Sequence, residues 1–405
     1  MVLFADPLHD AFGTWPLAYI PTGGADFGEV RAVAEAVGTG DDDRFHAAWI
    51  AAATRLEEEA ETTLARGHAG SARDLFLRAS AFYGASMHPL YGAPVDPRLR
   101  AAAARQMAAF DRALGLGPHP VRPQSIPFDG HAMPAYLIPA AGRETETRPL
   151  IIFTNGYDGT IPDMYFASAV AASRRGYHSL LFDGPGQGMM LYAQNVTLRP
   201  DWETVVAAVM DFALAHPLVD AGRVALSGWS LGGYLAPRAA SGEHRLAAVI
   251  ADPGSWGIAA GFRAVVRRMF DLPPEAVRDL GTLDPALLAR AEAAIRADRE
   301  MNWKVVQRGF WVHGVETLGA YLADVERYTM EGRAERITCP TLITQAEEDA
   351  LAAGAGSLFA ALRCPKTLLR FTAAEGAGDH CEMQNRSLLN RRALDWLDEQ
   401  FAAPG

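Results

Sequence analysis

The sequence predicts an α/β protein: a mostly parallel sheet with helices on both faces, a helical region ahead of it and a helical segment inserted late in the chain. Three observations carry this. Short, fully apolar runs alternate with helical stretches after about residue 123, the texture of strands buried on both faces. Before that point, from about Asp41 to Gly115, the chain is Ala-rich with charges at helical spacing and lacks alternating β-branched runs. Between Gly254 and Arg336 the strand alternation stops and Ala, Arg and Glu again dominate.

Taken in order, residues 1–120 read as a helical domain. Gly117-Pro118-His119-Pro120 and Pro123 break it, and Ser125–Phe128 with Ala135–Ile138 form a hairpin around the Asp129-Gly130 turn. Strands are expected at Leu150–Phe153, His178–Phe182, Val224–Leu226, Leu246–Ile250 and Thr341–Ile343. The expected division is a core in two parts, 121–253 and 337–405, with 254–336 as a helical cap between them.

Composition excludes several classes. The 405 residues are 49% hydrophobic and 21% charged, ordinary for a globular chain, and no run approaches the roughly 20 apolar residues of a membrane helix. The net charge of −11 is the wrong sign for a general nucleic-acid binder. The amino terminus reaches Asp6 with no leading Lys or Arg and no apolar run, so no signal peptide is read there and a cytoplasmic protein is expected. Cys339, Cys364 and Cys381 lack paired-ligand spacing, which suggests free thiols and neither a disulfide framework nor a metal site.

The most specific signal is Gly228-Trp229-Ser230-Leu231-Gly232, entered from an apolar strand and left into a helix-compatible segment. A Gly-x-Ser-x-Gly elbow needs small residues two before and two after the nucleophile, because strand and helix meet closely there. Ser230 would project above the sheet, with the Leu231 amide aimed at a developing oxyanion. A serine needs a base and a carboxylate to orient it, and both follow in the order Ser, Asp, His: Asp349 after the strand at 341–343, and His380 further on. Asp349 is preferred over Glu347, Glu348, Asp379 and Asp252. His178, His216 and His244 sit in contexts that favour structural roles. The second oxyanion donor is expected from Tyr157, in Asn155-Gly156-Tyr157-Asp158-Gly159, and Tyr157, Asp158, Trp229 and Tyr83 are candidate substrate contacts. Tyr91, Trp256, Phe262, Trp303 and Trp311 are aromatic candidates for a pocket wall or for core.

Asp183-Gly184-Pro185-Gly186-Gln187-Gly188 lacks the spacing and Lys-Ser/Thr ending of a phosphate loop, so it reads as a structural bend and no cofactor is expected. Together with Asn155–Gly159, Arg175-Gly176-Tyr177, Arg199-Pro200-Asp201-Trp202-Glu203 and Gly228–Gly233, it resembles the α/β-hydrolases related to 2,6-dihydroxypseudooxynicotine hydrolase. The resemblance spans roughly Pro123 to the carboxyl end. It implies a homodimeric serine hydrolase of α/β-hydrolase fold with an amino-terminal helical domain, a small-molecule substrate, and Ser230, Asp349 and His380 as nucleophile, acid and base. The member that names the family cleaves a carbon–carbon bond beside a ketone. A cap carboxylate used by some relatives has Glu243 and Asp252 as candidates. Esterases and polyketide acyltransferases belong to the same broad group, so ester or ketone hydrolysis leads, with acyl transfer and a non-catalytic binding protein as alternatives.

Overall fold

The sheet begins at the Asp-Gly turn. In the computed structural model, which describes residues 2–402 apart from the side chain of Met269, β1 (Gln124–Phe128) and β2 (His131–Ile138) pair antiparallel. Asp129 and Gly130 both take positive φ, 49° and 77°, as a tight hairpin with the natural strand twist requires. The remaining strands are β3 (Arg148–Thr154), β4 (His178–Phe182), β5 (Val219–Trp229), β6 (Ala248–Asp252), β7 (Thr341–Ala346) and β8 (Lys366–Phe371). Their order is β1-β2-β4-β3-β5-β6-β7-β8, with β2 antiparallel to β4 and every later pairing parallel.

That order reverses at β3, which lies between β4 on one side and β5 on the other. A crevice opens at such a switch, outside the carboxyl ends of the strands. The loop after β3 and the turn after β5 flank it.

Alternation along β3 separates the two layers of core. Leu150 and Ile152 join Val205, Val206, Val209 and Leu235 on one face. Ile151 and Phe153 join Phe76, Phe82 and the carboxyl-terminal Leu394 and Leu397 on the other. Each such side chain, fully buried, contributes about 1.5–3 kcal/mol before the entropy of ordering is subtracted.

The amino-terminal helices include Asp42–Ala65, Ala69–Ala85 and Pro97–Gly115. Asp41 caps the first by accepting from the Arg44 amide, and Asp96 caps the third with Pro97 in its first turn. Between β6 and β7 run the helices Ala259–Phe270, Pro285–Ala297 and Leu318–Val325 and a π-helical stretch, Asn302–Phe310. This insertion has its own small core of Val266, Leu280, Phe310, Leu322 and Val325. Arg299 ties it to the amino-terminal helices through Asp6 and Asp42, each at 2.7 Å.

Several details differ from the expected pattern, among them β8, which lies beyond the strands expected above, and the longer β2, β3 and β7. β5 starts at Val219, ahead of Val224, because Arg148 on β3 pairs with Val219 across a register shift. β6 starts at Ala248, two residues after Leu246. Among the described residues no helix is long and apolar enough to cross a membrane.

Candidate active site

Ser230 occupies the turn between β5 and the helix Gly232–Ala240 with φ of 61°. A non-glycine residue in that region stores roughly 1–3 kcal/mol of strain, held here by surrounding structure. The Ser230 amide donates to the Asp252 carbonyl at 2.7 Å, and its own carbonyl accepts from Gly233 at 2.8 Å. A Cβ at Gly228 would overlap the Gly232 carbonyl oxygen, which is why strand and helix can approach only with glycine there.

The structure brings Ser230, His380 and Asp349 together. Ser230 Oγ lies 2.9 Å from His380 Nε2, and His380 Nδ1 lies 2.8 Å from Asp349 Oδ2. The Asp349 side chain is 2% exposed whereas that of His380 is 36% exposed, so the carboxylate is sheltered and the imidazole is open to solvent. Asp349 is fixed by its second oxygen, which accepts from the Leu351 amide at 2.9 Å. With Nδ1–H directed at the carboxylate, Nε2 is left to accept the serine proton.

The other acids are engaged elsewhere. Asp252 accepts from Arg386 Nη1 at 2.8 Å and from Thr344 Oγ1 at 2.9 Å, below the elbow. Glu347 accepts from the Ala373 amide, Asp379 from the Gln384 amide, and Glu348 is exposed. Glu243 is bound by Arg245. His178 and His216 each accept a nearby backbone amide, from Ala140 and Leu218.

The turn carrying His380 has a buried support that no sequence pattern announced. Cys381 and Glu382 both take positive φ, 56° and 49°. Arg386 donates to the Cys381 carbonyl at 2.7 Å and to Ser168 Oγ at 2.9 Å as well as to Asp252. Burial, with the Asp252 charge beside it, pushes Glu382 far above the usual carboxylate range, so Glu382 keeps its proton. Cys381 Sγ is 3.4 Å from His380 Nε2, but burial holds its thiol well up and leaves it a poor nucleophile.

The loop after β3 packs onto the elbow from the far side. A Cβ on Gly156 would stand 2.8 Å from both the Ser230 Cβ and the Leu231 nitrogen, so its backbone is in contact with the nucleophile turn and Tyr157 follows at once. Leu231 begins the helix Gly232–Ala240, where an amide has no intrahelical acceptor. Gln187 braces the loop: its Nε2 donates to the Asn155 carbonyl at 2.6 Å while its Oε1 accepts from Gly184 at 3.0 Å. The glycine-rich segment after β4 is therefore a support for the neighbouring loop.

Three of the expected substrate contacts have other partners. Tyr83 is a correction: it is fully buried among the amino-terminal helices, its hydroxyl donating to Glu57 at 2.6 Å with Arg105 stacked on its ring. Its hydroxyl faces the helix Asp42–Ala65, where Thr54 Oγ1 lies 3.4 Å away. Trp229 is 3% exposed and packs between Trp15 and Arg386, at 5.4 and 5.6 Å. Asp158 is paired with Arg308 of the insertion at 2.8 Å.

Tyr157 also reaches the insertion. Its hydroxyl donates to His313 Nε2 at 2.7 Å, and His313 Nδ1 lies 2.7 Å from Asp324 Oδ2. Burial raises the Tyr157 phenol and lowers His313, against the pull of Asp324, so a neutral phenol meets a neutral imidazole. Of the aromatic candidates, Tyr91, Trp303 and Trp311 form one buried cluster with Tyr192. Phe262 packs on Tyr321 inside the insertion.

The fold and this crevice define an α/β-hydrolase, and the comparisons agree: the alpha/beta hydrolase family model matches residues 151–390. The chain belongs to that family and is a hydrolytic enzyme. It is 31% identical over 423 residues to hydrolase acrC of Aspergillus aculeatus, covering 95% of this chain and 94% of that protein. It is 31% identical over 401 residues to 20-hydroxy-prefusarin hydrolase FUS2 of Gibberella moniliformis, at 95% and 94% coverage. Among solved structures, 2,6-dihydroxy-pseudo-oxynicotine hydrolase superposes with a TM-score of 0.73 at 22% identity, covering 95% of this chain and 96% of that one. This likeness in fold extends over the amino-terminal helices as well as the sheet.

Proposed function

We propose that the chain is a serine hydrolase that forms an acyl-Ser230 intermediate from a small-molecule ester, or from a ketone whose adjacent carbon–carbon bond is cleaved. The observation that carries this is the hydrogen-bonded run from Ser230 through His380 to Asp349, with the serine held at positive φ over the strand ends. The relative whose name specifies 20-hydroxy-prefusarin, matched along 94% of its length, supports a small hydroxylated organic substrate.

In this mechanism His380 Nε2 takes the Ser230 proton as Oγ attacks the carbonyl, and Asp349 stabilises the imidazolium. The Leu231 and Tyr157 amides bind the tetrahedral oxyanion. On collapse, the bond to the leaving oxygen or carbon breaks, and His380 returns the proton to that atom. Water then gives a proton to His380 and attacks the acyl group; the acyl–Oγ bond breaks, His380 returns that proton to Ser230 Oγ, and the free acid leaves. Residues 254–336 act as a cap that encloses the substrate.

The test is product analysis by mass spectrometry on aryl esters and 1,3-diketones, with and without added alcohol or amine. Free acid alone supports hydrolysis. A new ester or amide as main product would overturn it in favour of acyl transfer, and complete inertness of the folded protein would favour a binding role.

A further inference from the structure

We propose that His313 and Arg308, both in the helical insertion, are positioning residues for the oxyanion loop. By gripping Tyr157 and Asp158 they set the Tyr157 backbone amide, so the oxyanion site is complete only when the insertion is seated. The inference rests on the acyl-serine reading above and adds to it a link between cap and chemistry.

The geometry is concentrated on two consecutive residues. Tyr157 and Asp158 follow Gly156, whose backbone lies against Ser230 and Leu231. The Tyr157 hydroxyl is held by His313 at 2.7 Å, and His313 is oriented from behind by Asp324 at 2.7 Å, itself paired with Arg327 at 2.7 Å. The Asp158 carboxylate is held by Arg308 at 2.8 Å. The same guanidinium lies 4.9 Å from the centre of the Tyr157 ring and 5.1 Å from that of Trp303, so one cation contacts both loop residues. The opposite side of the loop is fixed by the rest of the molecule, through Gln187 on the Asn155 carbonyl and the Tyr91 hydroxyl on the Asp158 carbonyl, at 2.6 and 3.2 Å.

Simple attachment of the insertion does not call for this arrangement. The insertion has its own apolar core and a surface anchor at Arg299. Withdrawing a phenol, an imidazole, two carboxylates and a guanidinium in large part from water adds desolvation cost that apolar packing would avoid. What the polar set supplies is direction. It fixes the ring end of Tyr157 and the carboxylate of Asp158, and with them the orientation of the peptide between, to which oxyanion stabilisation is sensitive at the scale of an ångström.

Steady-state kinetics on an activated aryl ester test it, using Tyr157→Phe, His313→Leu, the double variant and His313→Gln. Tyr157→Phe removes one oxygen and keeps the backbone amide, so it remains informative if His313→Leu fails to fold. Each single variant is expected to lower kcat by about tenfold with KM changed less than about twofold, and affinity for a trifluoromethyl ketone should fall in parallel. The double variant should be no worse than the weaker single, because both break one link. His313→Gln, which offers an amide oxygen to the phenol, should recover part of the loss. Unchanged kcat, a change in KM alone, or additive losses would overturn the proposal. Ser230→Ala separates the two levels: an active Ser230→Ala refutes the acyl-serine reading itself, whereas an inactive one beside unaffected Tyr157→Phe refutes only the positioning role.

Discussion

Asp349→Asn and Asp252→Asn form a pair that decides which carboxylate serves His380. Asp349 uses one oxygen on the Leu351 amide and the other on His380 Nδ1. In the asparagine variant Leu351 keeps the carbonyl oxygen, so the NH2 group faces Nδ1 and forces the imidazole proton onto Nε2. His380 then points a donor at Ser230 where an acceptor is needed. The expected fall in kcat/KM is roughly 10³- to 10⁴-fold, about 4 to 5.5 kcal/mol of transition-state stabilisation. Asp252→Asn instead removes the ionic partner of Arg386. Breaking a buried pair costs about 3–5 kcal/mol, and the cost falls below that here because Arg386 keeps the Cys381 carbonyl and Ser168 while Glu382 stands ready to carry the charge. Asp252→Asn should therefore melt earlier while its folded fraction keeps kcat within about tenfold. The assay is aryl-ester turnover beside circular-dichroism melts for both proteins. A folded Asp252→Asn that loses a thousandfold while Asp349→Asn stays active would refute the assignment.

Two further outcomes follow from burial. Asp183 is fully buried, and burial raises its carboxyl to about 7. Between the ordinary value near 4 and that raised one, the folded state binds the extra proton, so stability falls as pH rises through this window, by at most about 4 kcal/mol. Asp183→Asn should show a flatter profile in urea unfolding at pH 5 and pH 8, and equal slopes in the two proteins would contradict it. Gly228→Ala should cost at least the about 1–3 kcal/mol typical of overpacking, because the new methyl meets backbone of Gly232 that has no room to move. A thermal melt and the ester assay should both register the change; a stable, active variant would contradict the tight contact between Gly228 and Gly232.

The parts of the fold legible in the sequence were those encoded locally. Continuous apolar runs announce β3 and β4 because both faces are covered, and Asp129-Gly130 announces its hairpin because few residue pairs accept two positive φ angles. The elbow was visible for the same reason, since steric demands at Gly228 and Gly232 fall within five residues. The early start of β5 was hidden because pairing with Arg148 overrides a polar, glycine-containing stretch. Tyr83 was misplaced because helical spacing does not say which face meets which neighbour. Arg308 and His313 carry no local mark: their contacts with Asp158 and Tyr157 join segments far apart in the chain. Asp349 was preferred over Asp252 and its acidic neighbours from its place in the loop after a strand, whereas its hydrogen bond to His380 depends on a loop direction that no spacing encodes.

The most direct measurement of covalent serine catalysis is intact mass spectrometry of the protein quenched during the burst with a short-chain aryl ester, with Ser230→Ala alongside. An acyl-enzyme predicts one added acyl mass on the native chain, mapped to the peptide carrying Ser230, and none on the variant. An equal adduct on both proteins, or steady turnover by folded Ser230→Ala, would contradict it.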